Sequence, residues 1–124
     1  MHIARFWAKI AIMSLEETSK NGMGVVSLTG RFDGATSAAY EASLLPLLED
    51  GRPTMILDLG GVNYLSSAGI RVLLLLFKKS EALKIPLAIA CPQASVAQVL
   101  SIAGLDGLLT TQPSVEAAIR AVRA

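Results

Sequence analysis

Leu57-Asp58-Leu59-Gly60-Gly61-Val62-Asn63-Tyr64-Leu65-Ser66-Ser67-Ala68-Gly69-Ile70-Arg71 is the stretch on which the fold of this chain turns. The apolar run just before and into it, residues 54–59 (Thr-Met-Ile-Leu-Asp-Leu), predicts a mostly buried strand. Residues 60–65, opened by Gly60-Gly61, read as the loop beyond that strand. Residues 67–83 then predict a helix, apolar nearly all round in its middle, which must therefore be covered on more than one side. A buried strand, a short connection and a buried helix in that order belong to a layered α/β domain.

Working outward, the same alternation continues in both directions. Ile10, Ile12 and Ser14 alternate with their neighbours over residues 9–16, which predicts a first strand. Lys20-Asn21-Gly22 is a turn signal, and residues 25–29 predict a second strand, so the two form an antiparallel hairpin. Residues 30–33 break the pattern. Residues 35–48 predict a helix with Ala38, Leu44, Leu45 and Leu48 among its apolar positions, Asp33 or Thr36 available as caps, and Gly51 and Pro53 at its end. Downstream come a buried strand at 86–91 and a helix at 95–103 closed by Gly104. A short strand at 108–110 and an amphipathic helix at 114–123 follow. Strands alternating with helices imply parallel neighbours joined by right-handed crossovers. The expectation is one α/β domain over residues 9–124, with a mixed, mostly parallel sheet of four to five strands and about four helices. Residues 1–8 form an N-terminal extension, whose Phe6 and Trp7 are free to pack on the domain or on a second copy, leaving a homodimer open. Met13 is an alternative start.

Composition narrows the function. With 124 residues, 52% hydrophobic and 17% charged, the chain suits one folded domain and not a disordered segment. A net charge of +1, with Lys78-Lys79 the sole adjacent basic pair, gives no footprint for nucleic acid. The one cysteine, Cys91, cannot form an internal disulfide, which fits a reducing cytoplasm. It follows Leu87-Ala88-Ile89-Ala90 and reads as a small buried side chain at a strand end, with no basic neighbour in sequence to activate a thiolate. The one histidine is His2, so a zinc site or a His-based triad has almost no material. Gly60-Gly61 lacks the Gly-Lys-Ser/Thr that would complete a P-loop. These absences favour a binding protein over an enzyme, with no metal and no cofactor. Residues 72–77 are too short to span a membrane, which takes roughly 20 apolar residues. The uncharged residues 85–105 are interrupted by Pro86, Pro92, Gln93, Ser95 and Gln98, and no signal peptide is recognisable. A cytoplasmic protein without membrane insertion is expected.

The two serines carry the chemistry. Ser66 stands at an N-cap position, with Leu65 and Ile70 spaced as a hydrophobic staple. Ser67 is then the first helical residue, beside unpaired backbone N–H groups at the positive end of the helix dipole. A phosphate is well tolerated there within its own chain. For a docked partner the effect reverses, because a phosphoserine adds about −1.5 to −2 charges that must be desolvated or that face like charge. A loss of roughly 3 kcal/mol weakens binding about 100-fold. On spacing alone the Ser-Ser pair is first a capping device. Gly69 reads either as close packing of the helix on a strand or as a surface without a side chain in a partner's way.

The quoted stretch resembles the signature of STAS-domain anti-sigma factor antagonists (anti-anti-sigma factors). In that family a strand ending Asp-Leu-x-x-Val leads through an aromatic or apolar pair to Asp/Ser-Ser-x-Gly-Leu/Ile. Leu28-Thr29-Gly30-Arg31-Phe32-Asp33 is similarly like the family's Leu-x-Gly-x-Leu/Phe-Asp after the second strand. The resemblance covers about residues 9–124 and implies partner switching. The unphosphorylated antagonist binds an anti-sigma factor that is also a serine kinase, that kinase inactivates it by phosphorylation, and a serine phosphatase restores it. Aligned through Gly69, the family's phosphorylated serine falls on Ser67, with Ser66 the second choice. Ser66 occupies a position where many members have Asp, which removes a carboxylate beside the acceptor. The implied partner surface comprises Asp33, Thr36, Ser66, Ser67, Ala68, Gly69 and Ile70. The family also contains constitutive subunits of lipid-transport and stress-signalling complexes, which is the alternative reading.

Overall fold

The computed structural model describes residues 5–10 and 13–123, with side chains described from residue 14 onward. Six strands run β1 (Arg5–Ile10), β2 (Met13–Lys20), β3 (Met23–Phe32), β4 (Met55–Leu65), β5 (Leu87–Ala90) and β6 (Thr110–Gln112). Four helices are α1 (Ser37–Leu44), α2 (Ser67–Leu83), α3 (Ala94–Ile102) and α4 (Val115–Arg123). The strands lie side by side in chain order. β1, β2 and β3 pair antiparallel, and β3 to β6 pair parallel. The mixed, mostly parallel α/β sheet expected from the alternation is therefore present, with one strand more.

That topology dictates where the helices go. When parallel strands follow one another in chain order, crossovers of one hand all fall on one face. α1, α2 and α3 are those crossovers, and they share one core: Tyr40 and Leu44, Val72, Leu73 and Leu76, Val96 and Leu100 pack with Val26, Leu28, Phe32, Leu57, Leu59 and Ile89. α4 follows β6 and does not join two strands of this sheet, so the crossover rule does not bind it to that face, and it lies on the other one. There Ala118 and Ile119 pack with Val25, Ile56, Ala88 and Ala90. The Lys20–Glu116 ion pair and the Arg123 guanidinium donating to the Asn21 carbonyl (2.9 Å) tie α4 back to the β2–β3 turn.

Four departures from the sequence reading have physical causes. First, the hairpin partner of β3 is Met13–Lys20, later than the predicted 9–16. Its turn is the Asn21-Gly22 pair, both at positive φ (53° and 79°), which sets Lys20 opposite Met23. β2 carries little apolar alternation because α4, on the face opposite Leu15, packs its apolar residues on Val25, Ile56, Ala88 and Ala90 of β3 to β5 and not on β2, so the apolar pattern points too early. Second, β1 occupies residues 5–10 and runs across the expected boundary between residues 8 and 9. Third, α1 ends at Leu44 and continues as a tighter 3-10 turn over Leu45–Glu49. Pro46 lacks the amide proton that would have extended the α-helix. Fourth, residues 60–65 are strand, not loop: Gly61 pairs with Thr29, Val62 with Gly30, Tyr64 with Arg31 and Leu65 with Phe32. Gly61 permits this, since a Cβ there would lie 2.9 Å from the Leu28 carbonyl oxygen. α2 begins and ends where the sequence placed it, and α3, β6 and α4 lie within a few residues. The readings attached to His2, to the side chains of Phe6, Trp7 and Met13, and to Ile12 fall outside the described residues. No helix among the described residues is long and apolar enough to cross a membrane.

Candidate functional site

The continuation of β4 to Leu65 brings the two sequence motifs together. β3 and β4 are parallel neighbours, so their carboxyl ends, Phe32 and Leu65, finish side by side. The edge outside the carboxyl ends of parallel strands is where α/β folds place their functional groups. Each strand turns there into a helix, β3 into α1 through Asp33 to Thr36, and β4 into α2 through Ser66.

The second junction carries the serines. Ser66 takes an extended conformation (φ −100°, ψ 176°), its amide donates to the Phe32 carbonyl (3.0 Å), and its carbonyl accepts the first intrahelical bond from Ile70 N–H (2.9 Å). The chain is thus clamped to the end of β3 at the residue before the helix. The expected side-chain cap is not made. The Ser66 hydroxyl oxygen is buried and has no hydrogen-bond partner. Ser67 is the first residue of α2 and is exposed, with Ala68 and Ile70 half-buried beside it. An exposed hydroxyl at that place is accessible to a modifying enzyme.

Gly69 differs from half of its sequence reading. It is buried, so it offers no open surface to a partner. A Cβ there would lie 2.6 Å from Leu65 Cδ1 and 2.7 Å from the Phe32 carbonyl oxygen, closer than real side chains come. Its role is close packing of the α2 start on the ends of β3 and β4, the other reading given above.

The first junction is braced. The Asp33 amide donates to the Thr36 hydroxyl (3.0 Å), which itself donates to the Arg31 carbonyl (2.7 Å). The Asp33 carboxylate accepts from Ala35 N–H (3.0 Å) and Arg31 Nε (2.9 Å). The Arg31 hydrogen bond, above all, holds the Asp33 carboxyl below the usual carboxylate range, against a smaller opposing effect of desolvation. The Thr36 side chain does not cap α1, and Thr36 is 0% exposed, which corrects the expectation that it lies on a contact surface. It locks the turn from beneath while Asp33 remains half-exposed on it. Behind the turn, Tyr40 is fully buried, its ring 4.8 Å from that of Phe32 and its hydroxyl donating to the Thr29 carbonyl (2.7 Å). Burial pushes the Tyr40 phenol up to about 12.

Three charged or aromatic residues at this edge were not singled out in the sequence. Arg31 lies over the Tyr64 ring at 4.1 Å, and Tyr64 is 44% exposed. Arg71, exposed on α2, pairs with Glu41 on α1 at 2.9 Å. Arg31 and Tyr64 both lie within the quoted motifs, and their pairing follows once β4 is carried through to Leu65. Arg71 was findable as the residue four beyond Ser67 on the same helical face. Cys91 follows β5 with a left-handed backbone (φ 59°) and is half-buried, not fully buried as expected. Desolvation first, then the Asp58 carboxylate, raise its thiol pKa. Among the described residues no cluster of His, Cys, Asp or Glu is placed to hold a metal.

A sheet in chain order with three crossover helices on one face is an arrangement shared with known domains. The STAS domain family model matches residues 14–118, and the chain belongs to that family. Among its relatives, BtrV of Bordetella bronchiseptica, named an anti-sigma factor antagonist, is 32% identical over 111 residues, spanning 90% of this chain and 96% of BtrV. Solved structures agree on the fold. An anti-sigma factor antagonist from Mycobacterium paratuberculosis superposes with a TM-score of 0.79 at 23% identity, covering 90% of this chain and 95% of that one. The anti-sigma factor antagonist SpoIIAA in its unphosphorylated form gives a TM-score of 0.69 at 20% identity, covering 96% of each.

Proposed function

We propose that this protein is an anti-sigma factor antagonist that works by partner switching and not by catalysis. In the unmodified state it binds a kinase-type anti-sigma factor through the edge formed by Asp33 and by Ser66, Ser67, Ala68 and Ile70. Phosphorylation of Ser67 releases that partner, and a serine phosphatase restores binding. The observation that carries the reading is the exposed Ser67 hydroxyl, held in place by the Ser66 clamp on Phe32 in a chain that matches BtrV over nearly its whole length. Thr36 and Gly69 contribute from below, by fixing the two junctions that present the contact residues. The buried Ser66 hydroxyl is poorly placed to accept a phosphate, which supports Ser67 as the acceptor.

The test is phosphate transfer from ATP by purified kinase-type anti-sigma factors of the source organism. Wild type and Ser66→Ala should be labelled and Ser67→Ala should not. Labelling of Ser67→Ala at the wild-type rate would sink the assignment. Ser67→Asp should bind the same kinase more weakly, by about 100-fold if the charge effect is roughly 3 kcal/mol, and undiminished binding would remove the release mechanism.

A further inference from the structure

We infer that Arg71 is the intramolecular receiver of the phosphate on Ser67, and that it reaches it by leaving Glu41. The inference rests on the proposed modification of Ser67. Residues four apart on a helix lie one above the other, and long side chains on a helix lean back toward its N-terminus. Arg71 therefore projects over the turn that Ser67 begins. In the unmodified protein its guanidinium donates to Glu41 Oε1 across the α1–α2 interface at 2.9 Å. The Arg71 side chain is 59% exposed and the Glu41 side chain 33%, so water screens this pair and makes it easily exchanged. A phosphoserine presents nearly twice the charge of a carboxylate and three acceptor oxygens, and a guanidinium binds it in a two-pronged geometry. Nearby Arg31 is engaged both by Asp33 at 2.9 Å and by the Tyr64 ring, which leaves Arg71 as the more exchangeable cation of the two.

The exchange does more than hold the phosphate. Glu41 lies beside Ala38, Ala42, Leu45 and Pro46 in a shallow groove along α1. Before modification its charge is neutralised by Arg71. Afterwards the phosphate keeps part of its charge and Glu41 loses its counterion. One modification on α2 thus delivers negative charge to α1 as well, and a partner spanning both helices meets it twice.

The experiment places phosphoserine at position 67 by codon reassignment, so it needs no kinase. It follows the second ionisation of the phosphate by 31P NMR. In the otherwise wild-type protein the midpoint should fall below the usual value of about 6. Arg71→Gln should raise it by about half a unit, and Glu41→Gln, which frees Arg71, should lower it further. Arg71→Lys should restore part of the depression, and Arg31→Gln should leave it nearly unchanged. An Arg71→Gln midpoint equal to that of the parent, or an Arg31→Gln shift larger than that of Arg71→Gln, overturns the assignment. A Glu41→Gln midpoint equal to that of the parent overturns the exchange. Failure of every kinase to label Ser67 would defeat the proposed function and leave this titration intact, so the two are judged separately.

Discussion

Two strand-to-helix junctions lie side by side at the carboxyl edge of the sheet, and they are built differently. At the end of β3, Asp33 and Thr36 saturate the turn with side-chain hydrogen bonds, and Thr36 is fully buried. At the end of β4, Ser66 alone joins strand to helix and Ser67 opens α2, yet the Ser66 hydroxyl has no partner and Ser67 stands in solvent. The second junction is held by the main chain and by shape: the Ser66 amide on Phe32, and Gly69 against Phe32 and Leu65. The difference teaches how a modifiable hydroxyl can be kept chemically free without being loose. Fixing the backbone by packing leaves the side chain with no structural duty, so changing it need not unfold the domain.

The sharpest way to break this comparison is Gly69→Ala. Alanine should gain about 1 kcal/mol of helix propensity, but its methyl group collides with the Phe32 carbonyl. A net loss of about 2–3 kcal/mol is expected from overpacking, read by urea unfolding. A neutral result would mean that packing does not hold the second junction. Next comes Thr36→Val, which keeps the shape and removes the hydroxyl. It strands the Asp33 N–H and loosens the Arg31 carbonyl, at a cost of about 1–3 kcal/mol. A smaller effect is expected from Asp33→Asn, visible as a pH dependence. The native Asp33 carboxyl has its pKa lowered from 3.8, so it adds stability above that pH and loses it as pH falls through the lower native value. The variant should show a flatter acid limb in stability against pH, and an unchanged limb would contradict the Arg31 contact. Least of all should Ser66→Ala matter. A working N-cap serine is worth about 1 kcal/mol, but this one makes no capping bond, so the change should stay within about 0.5 kcal/mol of wild type or stabilise it slightly. A loss near 1 kcal/mol would show that the hydroxyl caps α2 in solution.

Much of this architecture could be read from residue order, for reasons that differ by element. The apolar periodicity of α2 and the uninterrupted run Leu87-Ala88-Ile89-Ala90 report burial directly, and Asn21-Gly22 and Gly104 mark turns that need positive φ. β4 beyond Leu59 was illegible because Gly60, Gly61 and Asn63 are loop signals. Only the nearness of β3 makes a residue without a side chain the right one at Gly61. At the site, the position of Ser67 on α2 follows from local pattern alone. The burial of Gly69 does not, since the Phe32 carbonyl that closes over it belongs to β3, and nothing in the local pattern marks Thr36 as 0% exposed. The same holds for Glu41 and Arg71, 30 residues apart and joined by helix packing.

The side-by-side arrangement of strands in chain order has a consequence for how the molecule is made. Each strand pairs with the one synthesised just before it, so each step closes a short loop and loses little chain entropy. The β2–β3 hairpin closes over the two residues Asn21-Gly22, whereas each parallel pairing has to span a crossover helix and forms more slowly. During synthesis, each strand after β1 therefore meets a neighbour that has already been made, and none depends on a later strand for its first partner.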